Sequence, residues 1–151
     1  MKRTYMITLL LFFCSIASFA QNALFDKYAD MDGVTSVYIS KAMLNMIPNM
    51  KTSGVNISGV ASKLDNIRII TTERADIIAR LKGERRHITP QNGYEELMRV
   101  NDEGDKVTIY LKTDKSGKKE FILFNEQNKE LTVILIRGNI TMDEIQNIVK
   151  K

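Results

Sequence analysis

KVTIYLKTDKSGKKEFILFNEQNKELTVILIRG, residues 106–138, is the stretch whose reading decides the fold. It holds three runs rich in Val, Ile, Leu, Phe and Thr: KVTIYLKTD, KKEFILFNE and KELTVILIRG. The polar groups KSG and EQN separate them. β-Branched and aromatic side chains fit a pleated surface, and connections this short join strands that run antiparallel. The segment predicts a three-strand meander. Within it, FILF and VILI are apolar at every position, whereas a strand with one wet face alternates apolar and polar residues. The second face of the sheet therefore needs a cover, from the N-terminal helix or from a second copy of the chain.

Downstream, ITMDEIQNIVKK carries a helix start. Thr141 and Glu144 have the spacing of a capping box, and Ile140 and Ile145 that of a hydrophobic staple. Ile145, Ile148 and Val149 make the face to be buried. Upstream, NALFDKYADM places Leu24, Phe25 and Tyr28 on one helical face. GVTSVYIS reads as a strand, and Ser40 caps a helix, KAMLNMI, that ends at Pro48. Residues 51–63 read as a loop with a short helical turn near Val60–Leu64. NIRIITT is a strand, and Thr72 caps ERADIIARLK, whose Ile77, Ile78 and Leu81 face inward and which Gly83 ends. YEELMRV is open to both readings. Tyr94, Leu97 and Met98 suit a helix, which is preferred here over a strand. NDEGD is a turn.

The expected fold is α+β: a single-domain layered sandwich of about five mostly antiparallel strands with helices packed mainly on one face. The C-terminal meander is followed by a helix.

Residues 1–20 have the form of an export signal. Lys2 and Arg3 precede an apolar run from Met6 to Phe13, and Ser18 and Ala20 supply small side chains before a cut ahead of Gln21. The run is shorter than the ~20 apolar residues that span a bilayer. Phe12 and Phe13 precede Cys14 where a lipid-modified cysteine needs a small neighbour, so Cys14 belongs to the leader. The remainder, residues 21–151, reads as one domain that is soluble after cleavage. Losing Lys2 and Arg3 takes the 22 basic residues to 20 against 18 acidic, a net charge of +2. So small a charge argues against nucleic-acid binding. Cys14 is the only cysteine, so the domain holds no disulfide, thiol nucleophile or thiolate metal site.

LFDKYADMDGVTSVYISKAML, LDNIRIITTE, YEELMRVNDEGDKVTIYLK and VILIRGNITMDEI together resemble a secreted Bacteroidetes family, domain of unknown function 4252. The resemblance spans nearly all of the domain. It implies export to the bacterial envelope and no known activity, so no catalytic residue carries over. Many members look like lipoproteins, and the leader here departs from that.

The remaining motifs have plain structural readings. Asp30, Asp32 and Gly33 resemble the start of a calcium loop but lack its later ligands, and read as a turn. Met43, Met46 and Met50 are soft enough for Cu(I), yet read as packing or interface residues. Arg80, Lys82, Arg85, Arg86 and His87 form a basic cluster that either meets an anionic partner or is a solvated helix end. One histidine without cysteine makes no typical zinc site, and no nucleophile elbow is present. No cofactor is expected.

The leading expectation is a non-catalytic envelope protein, periplasmic or associated with the outer membrane. It binds another envelope protein or itself, with Met43 and Met46 in a hydrophobic interface, and touches a membrane at most without spanning it. The alternatives are a small-ligand binder or weak hydrolase with a pocket between sheet and helices, near His87 or the 51–63 loop, and anionic-lipid binding through the basic cluster.

Overall fold

The computed structural model describes residues 20–46, 51–52, 55–57 and 59–149. Residues 1–19 of the leader, Pro48 and Met50 lie outside them. The elements are α1 (Ala20–Ala29), β1 (Val34–Ser40), α2 (Lys41–Met46), β2 (Lys51–Thr52), β3 (Val55–Asn56), β4 (Leu64–Thr72), α3 (Ala75–Glu84), β5 (Tyr94–Asp102), β6 (Asp105–Thr113), β7 (Lys119–Gln127), β8 (Glu130–Gly138) and α4 (Met142–Val149). Short 3-10 turns occupy Ala61–Lys63, Arg85–His87 and Pro90–Asn92. Six strands form one sheet in the order β1-β4-β8-β7-β6-β5, with every neighbouring pair antiparallel. β2 and β3 pair as a separate ribbon.

The meander β6-β7-β8 forms as its sequence dictates. At the first of its turns, Asp114 Oδ1 accepts backbone N–H bonds from Ser116 (2.8 Å) and Lys118 (3.0 Å). β8 then pairs with β4, which adds the N-terminal half of the sheet. That junction requires glycine at 138, because a Cβ there would lie 2.4 Å from the Lys63 carbonyl oxygen. Just beyond it, the Thr141–Glu144 capping box closes. Glu144 Oε2 accepts the Thr141 N–H at 2.9 Å, and Thr141 Oγ1 accepts the Glu144 N–H at 3.4 Å. Ile140 and Ile145 are both buried, which completes the staple.

Alternation along the strands splits the core in two. One face carries Ile67, Ile69, Phe121, Leu123, Ile134 and Ile136, packed against Leu44 of α2, Val60 and Ala61, and Ile145 of α4. The opposite face carries Ile70, Ile122, Phe124, Val133 and Leu135, packed against Phe25 and Tyr28 of α1 and Ile77 and Leu81 of α3. The expectation of helices mainly on one face is therefore corrected: both faces are covered. FILF and VILI are the reason, since each sends large apolar side chains to both sides. α1 and α3 are latched together by Glu84 Oε1, which accepts bonds from Lys27 Nζ (2.7 Å) and Tyr28 Oη (2.9 Å).

The strand count is corrected as well, from about five to six. The sixth is YEELMRV, here β5 rather than a helix. Glu103 (φ +46°) and Gly104 (φ +97°) make a two-residue turn between Asp102 and Asp105. Left-handed conformations at both positions suit a tight hairpin, and β5 is folded back onto β6. A bulge between Glu96 and Met98 then shifts the alternation. Tyr94 points to one core and Met98 to the other, so a strand acquires apolar spacing that imitates a helix. Gly83 likewise does not end its helix. α3 continues to Glu84, and the Arg85 N–H bonds back to the Gly83 and Lys82 carbonyls. The 51–63 segment contains the small ribbon as well as the expected turn at Ala61–Lys63.

Candidate interaction surface and buried polar row

Ser40 accepts the Met43 N–H at 3.3 Å, so α2 starts immediately where β1 ends. α2 packs through Leu44 on the face of the sheet opposite α1, and its Met43 and Met46 are 40% and 78% exposed. Tyr38, on β1 itself, is 62% exposed and was not singled out from the sequence. Its ring lies against the Arg68 guanidinium, 5.1 Å from centroid to carbon, and Arg68 Nη1 donates to Asp26 Oδ1 at 2.8 Å. Between α1 and β1 runs an open groove of about 220 Å³, lined by Phe25, Asp26, Ala29, Ser36, Tyr38 and Arg68 among others. The groove lies neither at His87 nor at the 51–63 loop. β1 contributes seven residues to the sheet, none of them charged, and pairs with β4 without a bulge.

The basic cluster occupies the C-terminal end of α3 and the turn after it. Two of its members bind inward. Lys82 Nζ (2.6 Å) and Arg85 Nη2 (2.5 Å) both contact the Glu126 carboxylate, and the Arg85 guanidinium carbon stands 4.5 Å from the Phe124 ring centroid. Burial alone would push Glu126 up, but the hydrogen bonds from Lys82 and Arg85 outweigh it and hold its pKa below the usual range. Arg86 Nε donates to His87 Nε2 at 3.1 Å, and His87 Nε2 is 3.9 Å from Glu84. Arg80 is exposed. Glu126 and Glu84 offset part of the cluster's charge.

A second polar feature crosses the whole sheet. Ser40, Asn66, Arg137, Glu120, Lys112 and Tyr94 are successive cross-strand neighbours. Glu120 is its centre, 5% exposed. Its Oε1 accepts the Tyr94 hydroxyl at 2.9 Å, and its Oε2 lies 3.8 Å from Arg137 Nε. Burial pushes the Glu120 carboxyl above the usual range, against the opposing pull of Tyr94, Arg137 and Lys112. Sequence reasoning did not single out Glu120. Yet Glu120, Ile122 and Phe124 alternate on one face, and that spacing places a carboxylate among apolar neighbours. Tyr94 and Glu120 are buried, while Ser40, Asn66, Lys112 and Arg137 are partly exposed.

Asp30, Asp32 and Gly33 form the turn from α1 to β1, with Gly33 at φ +80°. Among the described residues no group of three or more His, Cys, Asp or Glu is placed to hold a metal ion. No helix among them is long and apolar enough to cross a membrane.

An open six-stranded antiparallel sheet with a few helices defines an α+β protein. The chain belongs to the family described as Domain of unknown function (DUF4252), which matches residues 28–148. Among solved structures it is similar to the protein of unknown function PA94 from Pseudomonas aeruginosa. The identity is 12%, over 80% of this chain and 77% of that one, with a TM-score of 0.33. Comparison with curated proteins finds no match.

Proposed function

We propose that this protein is an exported bacterial envelope protein that works without catalysis, by binding a macromolecular partner along the β1 side of the sheet. The observation that carries this reading is an uncharged edge strand that exposes Tyr38 and runs directly into α2, which exposes Met43 and Met46. Large apolar side chains gathered on a surface mark interaction sites, and an uncovered strand edge offers backbone groups to an incoming strand. The export half of the proposal rests on the leader: Lys2 and Arg3, the apolar run, and small residues at 18 and 20.

Two measurements test it. A photo-crosslinking side chain at Tyr38 or Met46 should yield discrete adducts in envelope preparations, while one at exposed Asp102 should not. Equal adducts at all three positions, or none, would remove the surface. The mass of the protein recovered from the envelope should correspond to a chain beginning at Gln21. A cytoplasmic protein that retained its first twenty residues would remove the export reading.

A further inference from the structure

We propose that β1 pairs antiparallel with β1 of a second copy, about a two-fold axis at Val37, so that two six-stranded sheets become one. The inference rests on the reading of the β1 side as the interaction surface and names its occupant.

Symmetry restricts the pairing sharply. Residues opposite each other in an antiparallel pair lie on the same face, so a two-fold axis through such a pair must pass beside one residue meeting its own copy. An axis at Val37 engages all seven residues of β1. It sets Val34 opposite Ser40 of the second copy, Thr35 opposite Ile39, Ser36 opposite Tyr38, and Val37 opposite Val37. Axes at Ser36 or Tyr38 engage five each. No charge opposes a like charge in this register, because β1 has none.

Three features fit a second copy in particular. Tyr38 of one copy arrives opposite Ser36 of the other, and Ser36 is the small residue in the wall of the α1-β1 groove, so the exposed ring has a concavity to enter. The two Tyr38 rings also stand diagonally across the axis, a spacing within reach of aromatic side chains. At the strand ends, Lys41, the first residue of α2, comes near Gly33 of the second copy and its exposed Asp32, where Arg74 is already paired with Asp76, and symmetry repeats that meeting at the other end. Lys41 exchanges its bond to Asp65 (3.1 Å) for this one, and Lys118 still holds the Asp65 carboxylate at 2.7 Å.

The test is sedimentation of the protein recovered from the envelope fraction, at micromolar concentration, with three variants. The wild type should sediment as two copies. Ser36→Lys and Tyr38→Ala, both at exposed side chains, should each weaken association at least tenfold with the circular dichroism spectrum unchanged. In a chain carrying Cys14→Ser, Val37→Cys should crosslink two copies under mild oxidation, and Val100→Cys on the opposite edge should not. A single-copy mass, a two-copy mass insensitive to both surface variants, or crosslinking at Val100 equal to that at Val37 would overturn the pairing. If the wild type is a single copy and Tyr38 still crosslinks to a different protein, the self-pairing is wrong and the interaction surface stands. If Tyr38 crosslinks to nothing as well, both fall.

Discussion

Strand β5, at one edge of the sheet, carries Glu95, Glu96, Arg99 and Asp102 and a bulge between Glu96 and Met98. Strand β1, at the other edge, carries no charge and follows β4 in unbroken register from Val34 to Ser40. Charges and bulges are the usual means by which a sheet edge resists an incoming strand. β5 exposes apolar side chains too, Leu97 at 37% and Val100 at 44%, but they are interleaved with charge. The contrast teaches that exposure alone does not mark a binding edge. β5 is guarded by its neighbours in sequence, and among the described residues no strand pairs with the outer side of β1.

The largest effect should come from the ring that the guarded edge sends into the core. Tyr94→Ala removes a side chain that is 4% exposed and bonded to Glu120. Loss of a large buried aromatic side chain costs about 3–5 kcal/mol. Urea unfolding should show a loss of that size, and an unchanged midpoint would mean that β5 adds nothing to the core it faces.

Next comes the junction that holds the open edge to the rest of the sheet. Gly138→Ala sets a methyl group against the Lys63 carbonyl, where Leu64 of β4 faces β8. Overpacking of this kind costs about 1–3 kcal/mol. Hydrogen exchange should locate the loss in β4 and β1, with the meander still protected. Uniform loss across the sheet would mean that its two halves do not open separately.

At the guarded edge, Tyr94→Phe keeps the ring and removes the hydroxyl that donates to Glu120. Leaving a buried acceptor without that donor costs about 1–3 kcal/mol. The expected result is the low end of that range, because Arg137 remains beside the other carboxylate oxygen. A neutral substitution, read by urea unfolding, would show that Glu120 needs no donor from β5.

The meander, its turns and the closing helix were legible because each is specified locally. Asp114 and Gly117 make a turn from their own residues, and Thr141 and Glu144 cap the helix they begin. β5 was not legible, because its alternation is broken by a bulge that only pairing with β6 defines. The layering was half legible. FILF and VILI announced that a second face needed cover, but α3 shares that work with α1 through a latch between Glu84 and Tyr28, residues 56 apart. At the candidate surface, Met43 and Met46 could be picked from composition. Tyr38 could not, since a strand's place at the edge of a sheet depends on strand order, which no local pattern encodes. Pairing of Lys82 and Arg85 with Glu126 escaped notice for the same reason.

The smallest effect contrasts two carboxylates by pH. Asp65, near the open edge, is held below the usual carboxylate range by hydrogen bonds from Lys118 and Lys41, so the stability it lends is present above its unfolded pKa and lost as the pH falls through the lower folded value. Glu120, toward the guarded edge, is shifted the other way by burial. Its contribution is full below the unfolded pKa and disappears as the pH rises through the higher folded value. Glu120→Gln keeps an acceptor for Tyr94 and removes this titration. Thermal melts of the two proteins should therefore run parallel below the ordinary glutamate range. Above it, the variant should gain on the wild type and level off once Glu120 is ionised in both states. A melting difference that stays constant across the whole acidic range would place the folded pKa of Glu120 at its ordinary value, and would show that Arg137 and Lys112 fully offset the burial of the carboxylate.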